Sequence, residues 1–148
     1  MAESKSGPAP HPGVIRALRV HSGAPAMPMF RVASLHDVIY LRDLWMHRYD
    51  ICRATGRPFM IGAHDPAVVA QVLRDLDGLW SGPPVVLELT GGAGGTWKVG
   101  SGEPVATVRV DAVAYMRMPA GRDGSPALEV VSGDPAVRAT LAAVRVLF

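Results

Sequence analysis

One cysteine, Cys52, stands in 148 residues, so no disulfide can close within the chain. A lone thiol fits a reducing compartment, and the cytoplasm is the expected location. Charge is sparse: 19% of residues are charged, and fifteen basic against thirteen acidic side chains leave a formal charge of +2. That surplus is a small excess of arginine and not a basic block, so no nucleic-acid partner is expected. No apolar run approaches the ~20 residues of a membrane span. The N-terminus carries no apolar signal core, so neither membrane insertion nor secretion is expected. Hydrophobic residues reach 49%, enough for a real core in one domain or one and a half.

What is present is organised around Ser34 to Gly56, SLHDVIYLRDLWMHRYDICRATG. The pattern predicts one long helix. Ser34 suits the N-cap and Asp37, three residues on, makes a capping-box-like pair. Arg53 in the last turn complements the helix dipole. Gly56 suits the left-handed position past the end, and Pro58 forbids resumption. Leu35, Val38, Leu41, Trp45 and Tyr49 recur at three- and four-residue steps and predict the apolar face.

Inside that helix Asp43 and His47 are four residues apart. This spacing stacks both side chains on one face, one turn above the other. A carboxylate and an imidazole so placed can take two adjacent positions on Zn²⁺ or a similar ion. The same spacing also serves a plain surface pair worth about 0.2–0.5 kcal/mol. A metal needs a third or fourth ligand, and the helix does not offer one. His36 is eleven residues from His47, about 16 Å along the axis. Trp45 and Tyr49 read as core packing. Cys52 points about 140° away from His47 and reads as a buried, inert thiol. Asp50 and Arg53 read as partners for neighbouring groups or for the C-terminal domain.

Residues 1–29 are dense in Pro, Gly, Ala and Ser and predict a segment without stable structure. Within it, Val14 to Val20 could form a turn or two of basic amphipathic helix, with His11 and His21 solvated. After Arg57 to Ala63, Asp65 is the expected N-cap and Pro66 the first helical residue of a second helix ending near Leu76 or Leu79. Val68, Val69, Val72, Leu73 and Leu76 form its expected buried stripe, and His64 is expected on the surface. Val85–Leu89 and Thr96–Val99 predict a hairpin about the glycine-rich run Gly91–Gly95. A phosphate-binding loop is not expected there, because no Gly-Lys-Ser/Thr follows and the next element is a strand. Pro104–Val110 alternates like a half-exposed strand. Asp111 is expected to cap a helix from Ala112 to about Met118, which Pro119, Gly121 and Gly124 end. Leu128–Val131 predicts a strand. Asp134-Pro135-Ala136-Val137 repeats the Asp-Pro-Ala-Val at Asp65 and predicts the same capping solution. The last helix is expected to run to about Val144, with a packed tail Arg145–Phe148.

The run RDLWMHRYDICRATGRP, Arg42 to Pro58, resembles the metal-binding helix of the mycothiol-dependent maleylpyruvate isomerase family. VVLELTGGAGGTWKVG (Val85–Gly100) and GDPAVRATLAAVRVLF (Gly133–Phe148) resemble that family's small C-terminal α/β domain. The three segments occur in the family's order and span Pro28 to the end. The resemblance implies a DinB-like four-helix bundle in which Asp43 and His47 are metal ligands, with aspartate where glutamate is more usual. It implies zinc as the divalent ion and mycothiol as thiol cosubstrate. Arg117 and Arg122, flanking the break after the third predicted helix, become candidates for binding the anionic substrate or thiol, since guanidinium groups pair well with carboxylates. Plain surface solubility is their other reading. The family's earlier helices, one of which supplies another ligand histidine, have no counterpart before Ser34. The resemblance therefore implies either an N-terminally shortened relative or a start that lies inside a longer gene.

The expected fold class is α+β: a long helix from a truncated DinB-like bundle (30–59), then a small α/β domain (60–148). The apolar face of the long helix must be covered either by the C-terminal domain or by a second copy; a homodimer completing the bundle is one candidate assembly, and it could bring two Asp43/His47 pairs to one ion. Two functions follow. One is metal- and mycothiol-dependent isomerisation or thiol transfer on a small acid. The other is a non-catalytic relative that acts as a binding or interaction module.

Overall fold

The structure is a computed structural model, and it describes residues 13, 17–21, 29–31, 35–122 and 126–148. The chain divides into two compact units, Met1–Leu41 and Arg42–Phe148. In the first, strand β1 (Arg19–His21) pairs antiparallel with β2 (Met29–Arg31), Val20 opposite Phe30. The helix expected over Val14–Val20 therefore gives way to a strand at Arg19 and Val20. Pairing with a distant segment outweighs the local amphipathic pattern there. His11, Val14, Ser34 and Gly124 lie outside the described residues.

Leu35–Ile39 forms a π-helical turn that leads into helix α1 (Tyr40–Ala54). The regular α-helix is thus shorter at its start than the sequence pattern predicts. Its end is as expected. Gly56 takes a left-handed φ of 67°. Its N–H donates to Arg53 O (3.3 Å) and the Arg57 N–H donates to Cys52 O (2.9 Å). These are the two bonds of a Schellman motif, and they need the φ that glycine adopts freely.

The second unit continues with α2 (Asp65–Leu79), β3 (Val85–Thr90), β4 (Gly95–Val99), β5 (Ala106–Asp111), α3 (Ala112–Arg117), β6 (Glu129–Gly133) and α4 (Val137–Ala143). The four strands form one sheet in the order β4-β3-β5-β6. β3 pairs parallel with β5, and the two outer pairings are antiparallel. The fold class is α+β. The chain passes from β4 to β5 beneath the start of β3, where the Val105 N–H donates to Pro84 O (2.8 Å).

The core lies on one face of the sheet. Val85, Leu87 and Leu89 of β3 and Ala106, Val108 and Val110 of β5 alternate inward, as the period of two requires. They meet the α2 stripe Val68, Val69, Val72, Leu73 and Leu76, all buried as its periodicity predicts. Tyr115 and Met116 of α3 and Val137 and Leu141 of α4 close the same core. The other sheet face is polar. There Arg109 bridges Glu88 of β3 (2.8 Å) and Glu129 of β6 (3.7 Å).

Asp111 caps α3 as expected, its Oδ1 accepting the Ala114 N–H at 2.9 Å. The two Asp-Pro-Ala-Val starts differ. Asp134 is exposed and accepts the Ala136 N–H (2.9 Å) in a local turn. Asp65 is buried; the N-cap of α2 is His64, and the Asp65 carboxylate faces elsewhere.

Candidate metal-binding face of helix α1

The face of α1 that packs inward carries Arg42, Trp45 and Met46, with Tyr49 and Cys52 half-buried. This differs from the predicted stripe: Leu41 is 45% exposed. Arg42 settles the rotation. It is buried, and its Nη1 donates to Asp75 Oδ2 of α2 (2.7 Å) and to the Leu147 carbonyl (3.0 Å). Phe59 then fills the space beside Trp45 and Tyr49, with ring centroids 5.0 and 5.4 Å away, edge to face in both cases. The Arg48 guanidinium lies 4.6 Å over the Phe59 ring. Its Nη2 donates to both oxygens of Asp65 at 2.7 Å, and the Gly62 N–H donates to Asp65 Oδ2 at 2.6 Å. Asp65 thus ties the end of α1 to the start of α2.

With the inner face held in this way, the outer face is fixed. At 100° per residue, Asp43, Leu44 and Ile51 all lie within about 60° of His47 on the helical wheel. The Asp43 and His47 side chains are 47% and 58% exposed, and Leu44 and Ile51 are 66% and 62% exposed. His47 therefore stands at the middle of a solvent-facing strip with apolar residues on one side.

His47 Nε2 is 3.4 Å from Asp43 Oδ2. A strong charge-assisted hydrogen bond is shorter, about 2.7–2.9 Å. Two ligands each about 2.0–2.1 Å from a tetrahedral zinc stand about 3.3 Å apart. The two donor atoms are thus spaced as neighbouring corners of a zinc tetrahedron, and the residues fit the ion as a pair. They do not fit it as a full set: no group of three or more His, Cys, Asp or Glu side chains comes together among the described residues. Cys52 points to the other side of the helix.

Arg117 and Arg122 both reach α1. The Arg117 guanidinium lies 4.7 Å over the Tyr49 ring, and Arg122 Nε is 3.1 Å from Asp50 Oδ2. Asp50 follows His47 by three residues and sits about 60° from it around the helix. Arg122 therefore stands beside the Asp43–His47 strip through Asp50, whereas Arg117 stacks on Tyr49, about 160° around the helix from His47; both are already engaged with α1 side chains. Arg42 and the Arg48–Asp65 link carried no local signal in the sequence, because each depends on a partner at least seventeen residues away.

Comparison with known protein families, with curated proteins and with solved structures finds no match. No helix among the described residues is long and apolar enough to cross a membrane.

Proposed function

We propose that this chain is a divalent-metal-binding protein acting on a small organic acid or thiol, in the manner of the mycothiol-dependent maleylpyruvate isomerases, with Asp43 and His47 as two ligands of zinc. The observation that carries the reading is the 3.4 Å separation of His47 Nε2 and Asp43 Oδ2 on an exposed helix face. Imidazole and carboxylate suit zinc, and both project from a helix pinned on its opposite side by Arg42 and Phe59. A bound divalent ion would lower the pKa of a coordinated thiol and so supply a thiolate near neutral pH. The chain's own contribution is positional. Asp43 and His47 fix two corners of the coordination shell. Arg122 keeps positive charge beside it, where a substrate carboxylate would compete with Asp50 for that guanidinium.

A second reading is an interaction module without catalysis. It is favoured by the exposed Leu44 and Ile51 on the same face and by the count of two ligands among the described residues.

Metal analysis of tag-free protein, wild type against His47→Ala, separates the two. Zinc retained by the wild type and lost from the variant supports the metal reading. No zinc in either after incubation with the ion overturns it and leaves the interaction module.

A further inference from the structure

We infer that a second copy of this chain supplies the missing ligands, so that one ion lies on a twofold axis between two α1 helices, held by Asp43 and His47 of each. The inference rests on the metal reading above and names the partner that completes the site.

Ligand count is the first argument. Each chain offers two donors at tetrahedral spacing, and a twofold axis doubles them to the four that a closed zinc site takes. Access is the second. The strip centred on His47 is solvent-facing, so another helix can approach the ligands directly.

Charge sets the orientation. Parallel copies would place Asp43 against Asp43. Antiparallel copies about an axis midway between Asp43 and His47 place the acid of each across from the imidazole of the other. The apolar residues agree with that register. The midpoint of Asp43 and His47 is Trp45, and the midpoint of Tyr40 and Ile51 lies about half a residue beyond it along the helix. Antiparallel copies therefore set Tyr40, the exposed first residue of α1, against Ile51 of the other chain at both ends. Leu44 falls beside the axis, where it shields the ion from water.

Size decides what holds the pair together. Fifteen residues at 1.5 Å per residue give α1 a length of about 22 Å. A seam of one helix and four or five side chains per copy lies below the roughly 1,200–2,000 Å² of a stable interface. Apolar contact along α1 does not suffice alone, so association follows the metal.

The test is sedimentation of the tag-free protein with metal analysis of the same sample, with zinc and after EDTA. The expected result is a dimer holding one zinc per two chains that becomes a monomer in EDTA. Leu44→Glu leaves both ligands in place on an exposed position and is expected to be monomeric, with zinc affinity at least tenfold weaker. A monomer holding one zinc per chain overturns the shared site and leaves the metal reading standing. A dimer unaffected by EDTA or by His47→Ala also overturns the shared site. Absence of zinc from every sample overturns both.

Discussion

Replacing Tyr115 by phenylalanine is expected to leave the protein at least as stable as the wild type, and more so as pH rises. The ring is fully buried, and its hydroxyl has no hydrogen-bond partner among the described residues. A buried polar group left unbonded costs about 1–3 kcal/mol. Deleting the oxygen removes that penalty and forfeits the packing of one atom, for a net gain of about 1 kcal/mol at pH 8. The pH dependence follows from burial, which pushes the Tyr115 phenol well above its ordinary value. The unfolded chain loses this proton near pH 10 while the folded chain keeps it. The stabilising contribution is therefore complete below pH 10 and falls as pH rises toward the folded value, by about 1.4 kcal/mol per pH unit. Phenylalanine has no proton to lose. The stability difference between variant and wild type should widen from about 1 kcal/mol at pH 8 to about 2 kcal/mol at pH 11. Urea unfolding at several pH values, followed by tryptophan fluorescence, measures it. A variant less stable by 1 kcal/mol or more at pH 8, with a difference that does not grow to pH 11, would refute the reasoning.

Among the described residues, Arg48→Ala leaves the buried Asp65 carboxylate with the Gly62 N–H alone. Because Arg48 itself is 43% exposed, the loss is set at about 2 kcal/mol, below the range for a fully buried pair, and urea titration reads it. A methyl group at Gly94 would meet the carbonyl oxygens of Leu89 and Gly91, so Gly94→Ala is expected to lower stability by about 2 kcal/mol or more. Gly78 lies in α2 with open space where a Cβ would stand, so Gly78→Ala should raise the melting midpoint, with a gain of about 0.5–1 kcal/mol. Opposite signs for the two substitutions check that Gly94 is required by close backbone approach in its loop and Gly78 is not required in its helix.

Much of the second unit is legible in the sequence wherever one face alone is apolar. The α2 stripe from Val68 to Leu76 admits one rotation, and the structure buries all of it. The hairpin follows from Gly91–Gly95 between two β-prone runs, and the end of α1 from Gly56 and Pro58. Helix α1 is harder because it is apolar on two sides. Leu41, Leu44 and Ile51 compete with Trp45, Met46 and Tyr49, and the choice is made by contacts remote in sequence: Arg42 with Asp75, and Phe59 with Trp45. The parallel pairing of β3 with β5 is likewise invisible to local periodicity, since it depends on the chain crossing under β3. The two Asp-Pro-Ala-Val starts show the same limit. Identical tetrapeptides diverge because Arg48 reaches Asp65, whereas Asp134 accepts only a nearby N–H of its own turn. The Asp43–His47 pair was visible from spacing; its place at the middle of the exposed strip was not, because that depends on which side of α1 Arg42 buries.

Titration of the metal-free, tag-free protein with cobalt(II) tests the metal site most directly. The account predicts visible absorption bands of a tetrahedral nitrogen–oxygen site that rise linearly, saturate at one ion per two chains, and vanish in both Asp43→Ala and His47→Ala. Bands equally strong in those variants, or no bands in the wild type, would contradict it.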